Sequence, residues 1–337
     1  MKSSDSAWGD SSPDVTGLGA LNWDLIYELP DLARLTDLGI SLSPGEEIHL
    51  GPDALDPLLN LLDRYGRKRA ESGGGQAANT IVALAGMGFR TRMLGKVGND
   101  RWGDLILAGL KGVDVSSVIR ENRSGMCISI LTPDGERSMI AFPNANDTLD
   151  FEDIAQGIPS GCLFLHLTSF AGPRPLKAQI ELVKHLDAST LITFDPGNLY
   201  AGKGLDQLLP VIERTYCLFA TDAELERITG FRHQEAAARM LDLGVRMVVC
   251  KQGARGAYLL DSTGCRTFSA LAVEVKDVTG AGDCFAAGFL AGLIRGQDLD
   301  TCGAWGTRAA ASCITGYGRE RYPGKEILVR ENRGEVC

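Results

Sequence analysis

Short apolar segments alternate with amphipathic helical segments along most of the chain, and this order limits the fold more than any other feature. The apolar segments read as buried strands near residues 15–22, 92–97, 162–167, 190–194, 216–219 and 245–250. The helical segments lie near residues 53–65, 75–86, 101–110, 175–186, 205–213, 234–243, 284–295 and 302–315. Such alternation is typical of a mostly parallel sheet flanked by helices. The chain of 337 residues therefore predicts an α/β fold, with residues 14–330 as a single domain.

One segment breaks this alternation. Residues 126–132 and 137–142 are short β-like runs, and Pro133, Asp134 and Gly135 between them form a strong hairpin signal. Such a hairpin is expected to project from the main sheet, so we predict a small β lid from segments near residues 20–50 and 120–145. The run 126–132 is apolar at alternate positions and would expose that face in a monomer. We therefore predict a homodimer through the lids.

Charge and hydropathy exclude two classes of partner. The net charge is -9 and Lys and Arg are scattered, which argues against a nucleic-acid partner. The one basic cluster, from Arg64 to Arg69, is interpreted as the end of the helix at 53–65. No apolar stretch approaches 18 residues, so we expect no membrane span. The polar residues 1–13 read as a disordered tail and not as a signal peptide.

The cysteines and histidines argue against disulfides and against a His-based metal site. Nine cysteines form no C-x-x-C pair, their number is odd, and several lie in apolar strands. Buried, reduced thiols in a cytoplasmic protein account for them. The four histidines are well separated, which is unlike a set of metal ligands.

Residues 277–283 read Asp-Val-Thr-Gly-Ala-Gly-Asp and lead directly into the apolar run 284–290. A glycine-rich turn before a buried helix leaves amides free, and the positive end of the helix then binds an anion such as phosphate. Asp283 beside it suits a base that takes a proton from a hydroxyl attacking a phosphoryl group. A structural role at a helix start is the alternative. Since P-loop and dinucleotide-binding patterns are absent from the sequence, the turn suggests a kinase.

Polar residues and glycines also gather where the other predicted strands end and where the helix at 75–86 begins. Each position alone fits a simple turn or a helix start. At the carboxyl ends of parallel strands, however, they would lie together, and this edge is where α/β sheets bind ligands. The positions are Asn22, Asp24, Gly73, Gly74, Gly75, Asn79, Asp195, Asp222, Glu224, Lys251 and Gly253.

Four of these patterns together resemble the ribokinase-like (PfkB-type) sugar kinase family, and the resemblance spans nearly the whole chain. The family's G-x-x-N-x-D is similar to residues 19–24, its G-G-x-x-x-N to residues 74–79, its lid pattern D-G-E-R to residues 134–137, and its D-T-x-G-A-G-D to residues 277–283. The last is the most specific. The resemblance implies a three-layer α/β/α sandwich with a β lid, ATP as the phosphoryl donor, and Mg²⁺.

The resemblance also implies a role for each matching position. Asp283 would be the general base, and Gly280, Ala281 and Gly282 the anion hole. The acceptor hydroxyls would be held by Asn22, Asp24, Gly74, Gly75 and Asn79. The ATP side would be formed by Thr221, Glu224, Lys251, Gly253, Gly256, Thr307 and Gly316, with Glu224 organising the water shell of Mg²⁺. A monovalent cation, K⁺ in many members, would be held by Asp277, Thr279, Cys313, Gly316 and Gly318.

Two positions depart from the family pattern. Thr221 stands where the family has Asn, and Val278 stands where it has Thr. We expect the first change to weaken the organisation of metal and phosphate. The sequence thus predicts an ATP-dependent kinase that phosphorylates a primary hydroxyl of a sugar or a sugar-like metabolite.

Two other functions stay open at this point. One is an adenosine or other nucleoside kinase, which stacking of Trp23 or Phe142 on a base would support. The other is a non-catalytic sugar-binding regulator on a kinase scaffold, which Thr221 alone encourages.

Overall fold

The computed structural model of the protein describes residues 12–133, 137–158 and 161–329. Most of the predicted tail at 1–13 and three residues of the lid pattern, 134–136, lie outside the described residues. The same holds for Cys337. Within these ranges, no helix combines the length and the apolar composition that a membrane span requires.

The strands, in chain order, are β1 (Val15–Leu18), β2 (Asn22–Glu28), β3 (Glu47–His49), β4 (Arg67–Gly74), β5 (Thr91–Val97), β6 (Val113–Asp114), β7 (Val118–Arg120), β8 (Gly125–Leu131), β9 (Arg137–Phe142), β10 (Phe164–Thr168), β11 (Leu191–Asp195), β12 (Thr215–Thr221), β13 (Met247–Lys251), β14 (Ala257–Asp261) and β15 (Gly264–Phe268).

The helices are α1 (Leu55–Tyr65), α2 (Gln76–Gly86), α3 (Arg101–Ala108), α4 (Phe151–Ile154), α5 (Pro173–His185), α6 (Gly197–Ala201), α7 (Leu205–Ile212), α8 (Asp222–Thr229), α9 (His233–Asp242), α10 (Ala281–Ile294) and α11 (Leu299–Cys313). Short 3₁₀ turns connect several of these elements.

The central sheet has the order β15-β14-β13-β12-β11-β10-β1-β5-β6, with β7 also paired to β5. Its strands run parallel from β6 to β13, and β14 is antiparallel to both of its neighbours, β13 and β15. Because every residue of β10 is buried, this strand has no solvent face, as expected when helices cover both sides of a parallel sheet. The prediction of a mostly parallel α/β sheet is confirmed.

Alternate residues of the central strands belong to two different hydrophobic clusters. In β12, Phe219 packs into the cluster that contains α2, α10 and α11, whereas Leu218 packs into the one that contains α5, α7 and α9. Helices therefore form a layer on each face of the sheet, which gives the three-layer sandwich. The predicted fold is confirmed in this respect too.

A second, smaller sheet has the order β3-β9-β8-β2-β4. It contains the predicted hairpin as β8 and β9, which pair in antiparallel register. It also contains β4, a strand that the sequence did not predict. The predicted first strand at 15–22 is wrong at its end: β1 stops at Leu18, and Asn22 opens β2 in the small sheet. We call this second sheet the lid.

Only Arg64 of the basic cluster lies at the end of a helix, in the last turn of α1, where the sequence had suggested the whole cluster would lie. The helix α1 ends at Tyr65, and Arg67, Lys68 and Arg69 lie on β4, at the edge of the lid. Arg67 and Arg69 pair with Glu28, and Lys68 pairs with Glu71 at 3.2 Å. Charged side chains on an edge strand discourage pairing with another chain, which explains the position of the cluster.

The apolar face of the lid is covered within a single chain. Met126, Ile128 and Ile130 of β8 are at most 1% exposed, and they belong to the same hydrophobic cluster as Leu58 and Leu62 of α1. On the neighbouring strand, the Tyr27 hydroxyl donates to Asp63 of α1 at 2.6 Å. The exposed apolar face on which the homodimer prediction rested is therefore absent from the described residues.

We now expect no lid-to-lid dimer, because the apolar face that would have driven this association is already buried. The measurement is the molar mass by light scattering over a tenfold range of protein concentration. A mass of one chain throughout is the expected result. A stable mass of two chains would contradict this reading of the lid.

Candidate active site

The turn at 277–283 begins the helix α10, as the sequence predicted, and places Asp283 inside the molecule. Gly280 is the N-cap, with a φ of 77°, and a side chain there would lie 2.6 Å from the Tyr322 hydroxyl. Glycine is therefore required by both conformation and space. Asp283 stands in the first turn of α10 and is 8% exposed.

The amides of this turn differ in their availability. The Ala281 amide donates to the Val278 carbonyl at 3.2 Å, so it is already engaged. Among the described residues, the Gly282 and Asp283 amides have no backbone acceptor. Of the predicted set of Gly280, Ala281 and Gly282, only the Ala281 amide is thus engaged, and the Asp283 amide is a further open donor at the start of α10. The open amides point, as the first amides of a helix do, out of its positive end.

Asp283 is held by its neighbours on α2. Nδ2 of Asn79 donates to Oδ2 of Asp283 at 2.8 Å, and the Thr80 hydroxyl donates to the Asp283 carbonyl at 3.2 Å. Burial raises the pKa of Asp283 to about 6, and the charge of Asp195 adds to this. The Asn79 hydrogen bond and the charges of Lys251 and Arg319 lower it in part.

Each glycine of the run 73–75 makes room for a different group. A side chain at Gly73 would lie 2.9 Å from Nη1 of Arg319, and one at Gly74 would lie 2.0 Å from Oδ2 of Asp24. Gly75 has a φ of 103° and packs against the Ala20 carbonyl. The run is therefore required by close packing at the site and not only by entry into α2.

Asp24 lies on the lid strand β2 and not at the end of a central strand. Burial raises the pKa of Asp24 to about 6; Arg319 and Arg137 oppose this shift, and Asp277 adds to it. Its Oδ1 is buried and has no hydrogen-bond partner among the described residues. An unpaired buried acceptor costs free energy, so this oxygen is suited to a ligand donor such as a hydroxyl.

Asn22 is engaged in the turn between the two sheets. Its Oδ1 accepts from Nδ2 of Asn146 at 2.9 Å, and Oδ1 of Asn146 in turn accepts from the Leu21 amide at 2.8 Å. Asn146 is 1% exposed and also donates to the Leu21 carbonyl. It therefore fixes the point at which the chain passes from the sandwich to the lid. No sequence signal marked Asn146.

Lys251 lies close to the start of α10, at the end of β13. A side chain at Gly282 would lie 3.3 Å from Nζ of Lys251. Lys251 forms an ion pair with Asp195, which ends β11 and is 1% exposed. Burial alone would lower the pKa of Lys251, but Asp195 and Glu224 raise it above its ordinary value. Lys251 is therefore a fixed cation beside the open amides.

Thr221 and Glu224 form a reciprocal cap at the start of α8. The Glu224 amide donates to the Thr221 hydroxyl at 3.2 Å, and the Thr221 amide donates to Oε2 of Glu224 at 2.8 Å. Burial raises the pKa of Glu224, with the charge of Lys251 acting in the opposite direction and that of Asp195 adding to the rise. Thr221 is thus the N-cap of α8, a role for which Asn is also suited.

Arg137 brings the lid into contact with the 277–283 turn. It donates from Nη1 to the Thr279 hydroxyl, lies 3.9 Å from Oδ1 of Asp277, and is anchored on Ser129 of the lid at 2.8 Å. Asp277 itself accepts from Thr279 through the amide and the hydroxyl. Arg137 is the one residue of the D-G-E-R pattern that is described, and it links the lid to the motif.

Other predicted positions have structural explanations of their own. A side chain at Gly256 would lie 1.9 Å from the Phe268 carbonyl, so a glycine is required here, directly before β14 and against the end of β15. The Thr307 hydroxyl donates to Gly303 of its own helix at 3.0 Å. The Cys313 thiol donates to the Thr279 carbonyl at 3.5 Å. Gly253 is exposed, whereas Gly316 is buried against Arg321, and Gly318 has a φ of 53°.

Arg319 is the main site residue that the sequence did not indicate. Its Nε and Nη2 donate to Oδ1 of Asn79 at 3.1 and 3.0 Å, and its Nη1 donates to the Gly109 carbonyl at 3.3 Å. It comes from the irregular segment after α11, where no periodicity marks this half-buried charge. The one sequence feature related to Arg319 is Gly73, which leaves space for its guanidinium group. This relation can be recognised only once the fold is known.

The chain is similar to known sugar kinases over most of its length. A model of the pfkB family of carbohydrate kinases matches residues 61–322. An uncharacterized sugar kinase of Archaeoglobus fulgidus is 34% identical over 249 residues, which cover 72% of this chain and 98% of that protein. An ATP-dependent ribose-1-phosphate kinase of Halopiger xanaduensis is 28% identical over 274 residues, which cover 76% and 90%.

Solved structures resemble this fold closely. An adenosine kinase from Sinorhizobium meliloti superposes with a TM-score of 0.79 at 22% identity, covering 94% of this chain and 98% of that one. A ribokinase from Thermotoga maritima superposes with a TM-score of 0.75 at 23% identity, with the same coverage. At these identities the likeness concerns the fold, which is the ribokinase-like one that the sequence predicted.

Asp24, whose Oδ1 is buried, should reduce the stability of the fold when it is ionised. Its pKa of about 6 in the folded protein lies above the ordinary value of 3.8. Protonation therefore stabilises the fold, fully below pH 3.8, and this contribution is lost as the pH rises through 6. We expect Asp24→Asn to raise Tm by a few degrees at pH 8 and to have little effect near pH 4, as measured by thermal unfolding. The exposed Asp37→Asn is the control; a lower Tm for Asp24→Asn at pH 8 would contradict the argument.

The cap at Thr221 can be tested separately from any activity. Thr221→Ala removes the acceptor for the Glu224 amide and should lower the free energy of unfolding by ~0.5–2 kcal/mol. Thr221→Asn should retain most of the free energy of unfolding that the cap contributes, because Asn is an equally good N-cap. Urea unfolding of both variants checks this. Equal losses in the two would show that the cap is not the source of the stability.

Proposed function

Because the chain belongs to the pfkB family of carbohydrate kinases, we propose that it transfers the γ-phosphoryl group of ATP to a primary hydroxyl of a sugar or sugar-like metabolite. Asp283 takes the proton of the attacking hydroxyl, the oxygen–phosphorus bond to the acceptor forms, and the bond to the ADP oxygen breaks. The observation that carries the proposal is the buried Asp283 carboxylate, fixed by Asn79 beside open amides and Lys251.

Asp283 has the properties that a general base requires. Its pKa of about 6 lies close to neutral pH, so at pH 7 it is mostly ionised and still basic enough to accept a proton. Its orientation is set by the Asn79 hydrogen bond before any substrate arrives. Fixed geometry of this kind is where phosphoryl transfer gains most of its rate, since the reaction needs little covalent help.

The donor side supplies charge for the phosphoryl group. The Gly282 and Asp283 amides and the Lys251 ammonium group would bind the transferring phosphoryl, and Asp195 holds Lys251 in place. The predicted anion hole is thus retained, although the engaged Ala281 amide contributes less than expected. Gly253, Gly256, Thr307 and Gly316 remain predicted contacts for the rest of ATP.

Kinases of this family use ATP with Mg²⁺, and the residues present fit that ion. Glu224 keeps Oε1 free of hydrogen bonds within the described chain and would hold Mg²⁺ through its water shell. When bound, Mg²⁺ neutralises negative charge on the phosphate oxygens. For K⁺, the buried Oδ2 of Asp277 has no partner among the described residues and suits a cation ligand. Thr279, Cys313, Gly316 and Gly318 stay predicted partners of that ion.

The acceptor side favours a molecule with several hydroxyl groups, and it can also accommodate a negatively charged group. Asp24 offers an unpaired buried oxygen, and Asn79 retains one N–H, so both can bind hydroxyls. Asn22, Gly74 and Gly75 remain predicted neighbours of the acceptor. Arg137 and Arg319 both act on Asp24, and a phosphorylated or acidic sugar would find cations there. The relative from Halopiger xanaduensis is a ribose-1-phosphate kinase.

The two aromatic residues named for a nucleoside acceptor are not available for stacking. Trp23 is 8% exposed, faces Trp102 at 6.0 Å between ring centroids and donates to Glu71. Phe142 is fully buried. This favours a sugar over a nucleoside. A non-catalytic regulator is disfavoured as well, because a binding protein has no use for an oriented base beside open amides.

We expect Asp283→Asn to lower kcat by ~10²–10⁴ while leaving the binding of ATP nearly unchanged, because only the proton acceptor is removed. In the wild type, the acid limb of the kcat–pH profile should lie near pH 6, since activity falls as Asp283 becomes protonated. The measurement is acceptor-dependent release of ADP between pH 5 and 9.

The acceptor is identified by the same assay with free sugars, sugar phosphates, sugar acids and nucleosides, each with and without K⁺. Turnover with one of the sugar classes, and its loss in Asp283→Asn, is the expected outcome. Turnover with nucleosides alone would contradict the sugar assignment. No acceptor-dependent turnover with any compound would contradict the kinase proposal itself.

A further inference from the structure

Arg319 reaches the proposed base through one intervening side chain. The guanidinium donates twice to Oδ1 of Asn79, and Nδ2 of Asn79 donates to Asp283 at 2.8 Å. These three groups come from the segment after α11, from α2 and from α10. They therefore connect three parts of the chain that are distant in sequence at the point where the reaction would occur.

The chemistry of Arg319 determines which way the Asn79 carboxamide faces. A guanidinium has donors and no acceptor, so it can pair only with the oxygen of Asn79. The amide nitrogen is then directed to Asp283, and a carboxylate is its natural acceptor. Without Arg319, the carboxamide could turn over and present its oxygen to Asp283. Two facing oxygens are compatible only with a protonated carboxyl group.

We propose that Arg319 is a positioning residue for phosphoryl transfer: it fixes the orientation of the Asn79 carboxamide, and through it the orientation of the ionised Asp283. This inference rests on the proposed function and adds a residue that lies outside the family patterns in this sequence. Arg319 need not touch either substrate to perform this role.

The surrounding backbone is shaped to hold Arg319. Gly73 leaves space for Nη1, where a side chain would come within 2.9 Å, and the Gly109 carbonyl accepts a hydrogen bond from the same nitrogen at 3.3 Å. Gly318, with a φ of 53°, packs its backbone against Ser72 beside it. Three contacts on one guanidinium restrict its rotation, so its hold on Asn79 does not depend on a bound ligand.

The charge of Arg319 acts in the same direction as its hydrogen bonds. The charged groups that act on Asp283 are Asp195, which raises its pKa, and Lys251 and Arg319, which lower it; Tyr322 also lies close, beside Gly280. Removal of Arg319 would take away one of two cations and the constraint on Asn79 together. Both losses make Asp283 easier to protonate.

The test uses the full-length protein with the best acceptor from the panel. Arg319→Met should lower kcat at pH 7 by about 10–100-fold and move the acid limb of the kcat–pH profile upward by about 1 pH unit. Arg319→Lys keeps the charge, so the acid limb of its kcat–pH profile should lie nearer to that of the wild type. Arg321→Met removes an exposed charge from the same segment and is the matched control, with an unchanged profile.

A double-mutant cycle with Asn79→Ala separates positioning from a general structural effect. If Arg319 acts through Asn79, adding Arg319→Met to the Asn79→Ala variant should lower kcat by less than a further threefold. Thermal unfolding checks that each variant is folded; if Arg319→Met does not fold, Arg319→Lys and Arg319→Gln carry the comparison.

Three results would overturn the inference. The first is a kcat within twofold of the wild type in Arg319→Met. The second is a lower kcat with an unmoved acid limb, which would indicate a structural role only. The third is full additivity with Asn79→Ala. A wild-type protein without turnover on any acceptor would instead remove the proposed function, and this inference with it.

Discussion

The hydrogen bond between Asn79 and Asp283 is the interaction on which the site depends. It joins the first turns of α2 and α10, which pack against each other, and it holds a buried carboxylate that would otherwise be free to rotate. The glycines on either side serve the same purpose. Gly75 lets α2 begin where the chain is crowded, and Gly280 does so for α10. The fold therefore brings two helix starts together and uses one amide to connect them.

The balance of acidic and basic groups determines the pKa values in this buried site. Asp24, Asp195, Glu224 and Asp283 are acidic groups in a region of low solvent access, and an isolated buried carboxylate is costly. Three cations, Lys251, Arg137 and Arg319, lie among these carboxylates. Within the described residues, no cluster of His, Cys, Asp and Glu side chains could hold a metal ion by itself. The result is incomplete neutralisation, with pKa values of about 6 at Asp24 and Asp283. This incomplete neutralisation reduces stability, and it gives the proposed base a pKa near neutral pH.

Patterns local in sequence predicted most of the fold and the turn at 277–283. The βα alternation, the 126–142 hairpin and the 277–283 turn depend on residues within one or two elements, so the sequence sufficed for them. The edge strand β4 was missed because its polar, glycine-containing residues lack a strand pattern. Arg319 and Asn146 were missed because their roles arise from contacts across 240 and 125 positions of the chain, which no local pattern records. The basis of the homodimer prediction was misjudged for the same reason: the lid packs against α1, which is far from β8 in sequence, so the burial of this face is not visible in the local pattern.

The central claim is that Asp283 is a buried, oriented base with a raised pKa. The most direct measurement is the titration of its carboxyl carbon by ¹³C NMR, assigned by the loss of the signal in Asp283→Asn. We expect a midpoint near pH 6 in the protein without substrates. A midpoint near 4, the ordinary value for a solvated aspartate, would contradict it.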